Sequence, residues 1–264
     1  MTKTDYGLDI TRVVLAVNDL DRVSAFYKST VGLSVLLQDG EHVVLGAENT
    51  PLLELQRDAH ATRQANAPGL YHTAFLLPNR SDLAAWVDMA GKQNVYAEGA
   101  SDHQVSEAIY LTDPEGNGVE IYADKPQDQW ARKDGELALA SRGINFDNLM
   151  RIATHWNGAP SGTKIGHVHL QVGDLSDADP VFLQTMGLNL MKDMGNAHFY
   201  SAGGYHHHFA ANTFRSQWRG KPKKPATGLR RIDVELASKA DLPSQIEAPW
   251  GTIIGLHKRA ALAA

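Results

Sequence analysis

The chain has 264 residues, of which 43% are hydrophobic and 21% charged, enough for about two globular domains with proper cores. Its net charge of −5 gives no reason to expect nucleic acid or an acidic membrane as a partner. Twelve histidines and no cysteine exclude disulfides, thiolate metal sites and a cysteine nucleophile, and turn any metal site toward imidazole and carboxylate ligands.

The first twelve residues, MTKTDYGLDITR, lack an apolar stretch of signal-peptide length, and no run reaches membrane-spanning length. A cytoplasmic location is the expectation, in keeping with the missing cysteines. From residue 13 the chain shows a strand-like run, an Asp-Leu step into a helix, and a Gly-Leu exit: VVLAVNDLDRVSAFYKSTVGL over 13–33. Val23, Phe26 and Tyr27 recur at helical spacing, and Gly32 stands where a C′ glycine belongs. Short strand-like runs follow, VVLGA and PLLELQ. This predicts one βαβββ unit over 10–58.

A more diverged copy occupies 68–125. It opens on GLYHTAFLLPNRSDLAAWVDMAGK, with an expected N-cap at Ser81, Leu83, Trp86, Val87 and Ala90 on one side of a helix, and Gly91 as the stop. It closes on SDHQVSEAIYLTDPEGNGVE, over 101–120. DPEGNG is a turn signal, because Asp-Pro starts turns and Gly116 and Gly118 tolerate positive φ. Strands are therefore predicted over 108–112 and 119–123, with a tight turn over 113–118. Tyr110 and Glu120 then lie on neighbouring strands and can converge on one spot if the register agrees.

Residues 126–160 form a connector too long for a plain linker. Its run ELALASRGINFDNLMRIATHW has helical character, and NGAPSG ends it as a loop. A third unit over 163–215 repeats the first, since VHLQVGDLSDADPVFLQTMGL has the same Asp-Leu step and Gly-Leu exit. Its later strands are AHFYSA and HHHFAAN. A fourth, over 227–258, is expected to have a short helix interrupted by Pro243 and no middle strands, and ends with APWGTIIG, an echo of DPEGNGVE. The fold class is thus α+β: four βαβββ units pairing into two half-open barrels with helices outside, the fourth unit shortened. The expected domains are 1–125 and 161–264, joined by the partly helical connector 126–160. KPKKP at 221–225 is the one basic cluster and reads as a solvated loop.

His103, Ile109–Tyr110, Asp113–Pro114, Gly116 and Glu120 together closely resemble the signature of extradiol ring-cleaving dioxygenases, in the vicinal oxygen chelate superfamily. Ser101 departs from it. The resemblance extends over nearly the whole chain through GLYH, GTKIGHVHLQV and GGYHHH, and is closest to the two-domain catechol-2,3-dioxygenase type. It implies a half-open barrel built from two units with a metal inside, its ligands drawn from the first and last strands of each unit.

The first-strand position, seven residues before the Asp of the Asp-Leu step, is His167 in unit three and Arg12 in unit one. The matching residues are His72 in unit two and Arg231 in unit four. The last-strand position is Glu120 in unit two and Gly255 in unit four, and falls near Glu54 and near 206–208 in the other two. Arginine stays protonated and cannot bind a metal, so His72, Glu120 and His167 form the expected triad. Two imidazoles and one carboxylate make the facial set of non-haem Fe(II) oxygenases. The triad requires unit two to pair with unit three. His169 shares a strand face with His167, and His167 is preferred for its distance from Asp174. Glu54 reads as a barrel-lining or solvated carboxylate.

By the resemblance, a histidine of 206–208 is the acid–base residue beside O2. Strand alternation puts His206 and His208 on one face and His207 on the other; within the resemblance His208 is the preferred residue, with His206 second. His103 resembles the histidine that hydrogen-bonds the substrate hydroxyl, and Tyr110 the tyrosine that orients that oxygen, although a plain core role also suits Tyr110. The resemblance thus implies Fe(II), with Mn(II) as the alternative ion, and a small aromatic diol and O2 as partners. The reaction it implies is extradiol cleavage of catechol or a substituted catechol to a muconic semialdehyde-type product. A homo-oligomer is left open. Two other readings stand beside it: a glyoxalase-type isomerase or lyase with a fourth ligand from Glu54 or 206–208, and a non-catalytic protein holding a small aromatic.

Overall fold

The computed structural model describes residues 5–133, 136–138, 140–237 and 242–259. Unit one runs β1 (Leu8–Val17), α1 (Leu20–Phe26), β2 (Ser34–Gln38), β3 (His42–Ala47) and β4 (Thr50–Arg57). Unit two runs β5 (Gly69–Leu76), α2 (Arg80–Lys92), β6 (Gly99–Asp102), β7 (Ser106–Thr112) and β8 (Gly118–Asp124). The connector holds a two-stranded pair, β9 (Arg132–Lys133) and β10 (Glu136–Leu137), and one short helix, α3 (Phe146–Met150). Unit three runs β11 (Lys164–Gln171), α4 (Leu175–Asp179), β12 (Asn189–Asp193), β13 (Ala197–Ser201) and β14 (Phe209–Asn212). Unit four keeps β15 (Gly228–Leu236), β16 (Gln245–Glu247) and β17 (Ile253–Lys258).

The repeats share local causes. Asp19 and Asp174 each cap a helix by accepting a backbone N–H, from Arg22 at 3.0 Å and from Ser176 at 2.9 Å, so the Asp-Leu step is an N-cap. Both helices then widen into a π turn, Tyr27–Val31 and Pro180–Thr185. Gly32 ends the first at φ +84°, where a Cβ would also meet the Ala159 nitrogen at 2.7 Å. The cap of α2 is Asn79 rather than Ser81: its N–H donates to the Asp82 carboxylate at 3.0 Å, the reciprocal half of a capping box. The helix runs through Gly91 to Lys92.

The first and last strands of every unit are parallel neighbours: β1 with β4, β5 with β8, β11 with β14, and β15 with β17. Units then join antiparallel through their first strands, β5 to β11 and β1 to β15. Unit two therefore pairs with unit three, and unit one with unit four, giving two half-open barrels in one continuous, unclosed sheet. A single register contact, Ile10 opposite Ile165, links them. Each half of the chain supplies one unit to each half-barrel. The main core lies under the sheets and helices, with Leu15, Tyr27, Leu45, Phe75, Trp86, Phe182 and Phe209 fully buried.

The connector is less helical than its composition suggests. Asn145 caps a five-residue helix by accepting the Asn148 N–H at 2.9 Å, and Gly143 stands just upstream in non-helical backbone. In unit four one middle strand survives as β16, paired antiparallel with β17, a correction to the expected loss of both. The expected helix before Pro243 falls partly on 238–241, outside the described residues, and 242–244 are not helical. Among the described residues no helix is long and apolar enough to cross a membrane.

Candidate metal centre

The hairpin of unit two is built as its turn residues dictate. Gly116 adopts φ +85°, and the Asp113 carboxylate accepts the N–H groups of Glu115 and Asn117, each at 2.9 Å. The turn fixes a register in which Tyr110 lies directly opposite Glu120. Across the next ladder Glu120 lies beside Ala74, and beyond β5 Ala74 lies beside His167. His72 is two residues along β5 from Ala74, on the same face. Three strands thus bring two imidazoles and one carboxylate around a small residue, Ala74.

All three side chains are buried. The Glu120 Oε2 atom lies 3.0 Å from His72 Nε2 and 3.2 Å from His167 Nε2. The two Nε2 atoms are 3.3 Å apart. Donors held about 2.1 Å from one ion at right angles to each other lie about 3.0 Å apart, so this triangle has the size of one face of an octahedral site. His167 Nδ1 is buried with no hydrogen-bond partner. The hydrogen bonding of this ring therefore rests on what Nε2 meets. These observations fit a divalent cation, which His72, Glu120 and His167 could hold. Burial would raise the Glu120 carboxyl, but the two imidazoles outweigh it and hold the group well below the usual carboxylate range. Burial pulls His167 down to about 4, against the pull of Glu120, so the ring is neutral and ligand-ready at neutral pH.

The triad lines a cavity of about 1710 Å³. Tyr110 and His103 stand on the same wall. The His103 Nδ1–H donates to the Ala140 carbonyl at 3.2 Å, which leaves Nε2 to accept the Tyr110 hydroxyl at 2.6 Å. Burial, then the nearby Glu120 charge, pushes the Tyr110 phenol far up, so it stays a proton donor. Tyr71, His169, Phe199 and Phe214 supply aromatic wall. His169 accepts the Asn212 amide on Nε2 at 2.9 Å, which gives that nitrogen a partner outside the triad.

The histidine run corrects the alternation argument. Residues 205–208 are not a strand: the chain turns at Gly203 (φ +62°) and Gly204 (φ +77°) and enters β14 only at Phe209. It is His207 that lines the cavity, its ring centroid 4.1 Å from that of His167. His208 turns away, its Nδ1 2.8 Å from the Ser201 hydroxyl, and burial lowers it to about 3. His206 is fully buried behind His207. Its Nε2 lies 3.0 Å from Asp124 and its Nδ1 2.8 Å from His207 Nδ1; in the tautomer that donates Nε2–H to Asp124, Nδ1 accepts the Nδ1–H of His207. His207 is thereby left with an unprotonated Nε2. No sequence pattern separates three adjacent histidines; only the positions of the two glycines hint that the strand starts later.

In the other half-barrel the equivalent positions carry an ion-pair network. Arg12 reaches Glu54 at 3.1 Å and Asp233 at 2.9 Å. Arg231 binds the second oxygen of Asp233 at 2.7 Å, beside His257. At Gly255 a Cβ would lie 2.1 Å from the Arg231 guanidinium. Cations occupy the place of an ion there, and Glu54 belongs to that network rather than to the triad.

Parallel first and last strands in each unit, units joined antiparallel, and a His-Glu-His face on one half-barrel together define a protein of the vicinal oxygen chelate build. Residues 9–121 match the model of the Glyoxalase/Bleomycin resistance protein/Dioxygenase superfamily. The chain is 33% identical over 252 residues, 92% of its length and 87% of the relative's, to a catechol-2,3-dioxygenase of Bacillus subtilis (strain 168). The chain belongs to this superfamily. In structure it is similar to a putative dioxygenase from Bacillus subtilis subsp. subtilis str. 168, with TM-score 0.63 and 16% identity over 94% of this chain and 84% of the other. It is also similar in fold to glyoxalase I from Zea mays, with TM-score 0.55 and 14% identity over 95% and 92%.

Proposed function

We propose that the chain is an Fe(II)-dependent extradiol dioxygenase that opens the ring of catechol or a substituted catechol with O2, giving a muconic semialdehyde-type product. The observation that carries this reading is the buried triangle of His72, Glu120 and His167 on the wall of a cavity that also presents His103, Tyr110 and His207. The name of the 33% identical relative supports it. Iron in the triad, with Mn(II) as the alternative, supplies Lewis acidity to the diol and the redox chemistry that O2 requires.

The remaining work falls to side chains of this chain. Tyr110 stays protonated, and its single O–H, which meets His103 Nε2 in the structure, turns to an oxygen of the bound diol or its ring-opened anion. His103 takes that hydrogen bond back once the product leaves. His207 offers Nε2 as acceptor for a diol proton; burial, then the neighbouring histidines, hold this ring well below the ordinary histidine range, so a proton taken there is readily handed back. Asp124 and His206 fix its tautomer. The aromatic wall of Tyr71, Phe199 and Phe214 excludes water from the ring.

A glyoxalase-type reaction asks for a fourth protein ligand, and Glu54 is committed to Arg12 in the other half-barrel. The test is anaerobic loading with Fe(II), then air and catechol. A yellow ring-fission product supports the proposal, and an iron-replete protein that forms none overturns it.

A further inference from the structure

The segment 213–227, TFRSQWRGKPKKPAT, carries five cations, Arg215, Arg219, Lys221, Lys223 and Lys224, and no acid, in a chain whose net charge is −5. It is not a loose solvated loop. At one end the Ser216 hydroxyl donates to the Val172 carbonyl and the Trp218 N–H to the Gly173 carbonyl, both at 2.8 Å. A Cβ on Gly173 would lie 2.2 Å from the Arg219 carbonyl oxygen, so the strap runs directly over that glycine. At the other end the Gln64 side chain clamps the backbone of Lys223, donating to its carbonyl at 2.6 Å and accepting its N–H at 3.1 Å. Thr62 bonds the backbone of Pro225 and Thr227 on either side of Ala226.

Backbone and neutral side chains therefore hold the strap, and its charges are spare. Arg215, Lys221, Lys223 and Lys224 line the same cavity as the triad, and none of them forms an ion pair among the described residues. The acids of that cavity are mostly engaged: Asp58 with Arg230, Glu115 with the N–H groups of Asn18 and Asp19, Glu98 with the Thr112 hydroxyl, and Glu120 with the two histidines. Glu247 is exposed at the rim. Next to the cations, Phe214 packs on Tyr71 at 5.8 Å, and Tyr71 on His72 at 5.3 Å. A path of aromatic surface thus leads from the triad to the basic strap. The cavity, about 1710 Å³, also exceeds the roughly 300–1,000 Å³ usual for a drug-sized ligand; a bare catechol fills a small part of it.

We propose that this strap selects the substrate class: a catechol whose ring carries a carboxylate-bearing arm, the diol at the triad and the carboxylate among Lys221, Lys223, Lys224 and Arg215. The inference rests on the ring-cleavage reading. Each pair is solvent-exposed and individually weak, but several like charges around one mouth attract an anion together and respond to salt.

The test is anaerobic calorimetric titration of the full Fe(II)-loaded chain with a catechol bearing a carboxyalkyl arm and with the methyl ester of the same compound. The acid should bind about tenfold more tightly than the ester, and the ratio should shrink toward one at ~0.5 M salt. The triple change Lys221→Gln, Lys223→Gln, Lys224→Gln should remove most of the preference, and the matching triple change to Arg should keep it. Equal binding of acid and ester, or a preference that survives the Gln variant, overturns the proposal. Turnover of catechol by the same unaltered preparation reports separately on ring cleavage. A protein that prefers the acid yet opens no ring keeps the anion site and loses the earlier reading.

Discussion

His72 and His167 stand 95 positions apart in sequence, yet their Nε2 atoms lie 3.3 Å from each other, with Glu120 Oε2 completing the triangle. Only the antiparallel pairing of β5 with β11 makes this separation short. Two imidazole nitrogens that close to one carboxylate oxygen leave a buried cluster whose lone pairs converge on a single point. A divalent cation removes that crowding.

His207 and His208 should separate cleanly on mutation. His207→Phe should keep the metal and slow turnover by ~10²–10⁴-fold, the usual contribution of a positioned proton-transfer group. His208→Phe should leave turnover within about tenfold, because His208 faces Ser201 and not the cavity. Steady-state rates with iron content measured on the same samples decide between them. A slow His208→Phe beside a fast His207→Phe would reverse the assignment.

Tyr110→Phe removes the hydroxyl that His103 accepts at 2.6 Å. Without it His103 Nε2 loses its partner and the bound oxygen loses a donor. Turnover should fall by ~10²-fold with metal content unchanged. A full-rate Tyr110→Phe would return Tyr110 to a packing role.

Acid should weaken the metal-free fold through its buried neutral histidines. His208 is lowered to about 3 and His167 to about 4 from the ordinary 6.5. The unfolded chain therefore binds more protons than the folded one between these values. The corresponding stability is fully present above pH 6.5 and is lost as pH falls toward 3, at up to about 1.4 kcal/mol per pH unit for each ring. Denaturant midpoints between about pH 7.5 and pH 5 should show the decline. His208→Phe should make the decline shallower without removing it, because His167, His169 and His207 are also held low by burial; an unchanged slope would mean that this ring is solvated in the fold.

Gly166→Ala should be costly. An added Cβ would lie 1.7 Å from the Tyr122 hydroxyl. That hydroxyl is held by Tyr205 at 2.9 Å, and Tyr205 in turn donates to Asp124 at 2.9 Å. The buried ring has nowhere to move, so overpacking should cost ~2–3 kcal/mol, read from urea unfolding at neutral pH. A loss under about 0.5 kcal/mol would show that the tyrosine pair yields freely.

The repeats were legible because their signals are local. An Asp that caps, a glycine at positive φ and a hairpin turn at 113–117 act within a few residues, and they gave the units, the opposition of Tyr110 and Glu120, and the offset of His167 from Asp174. The cap of α2 escaped because Asn79 and Ser81 are both good caps by type; Asp82 decides between them by reaching back to Asn79. The histidine run escaped for a different reason. Alternation presumes a strand, and two positive-φ glycines delay the strand until Phe209. The basic strap looked like solvent-facing loop because its anchors, Gln64 and Val172–Gly173, lie far away in sequence.

Metal stoichiometry of the intact chain and of Glu120→Ala, after anaerobic loading with Fe(II) and removal of excess, bears most directly on the triad. The unaltered chain should retain one ion per molecule and gain several degrees in thermal midpoint, as any ligand confined to the folded state confers. Glu120→Ala should remain folded, retain none and gain nothing. An alanine variant that holds a full complement of iron with the same thermal gain would contradict the assignment of His72, Glu120 and His167 as the ligands.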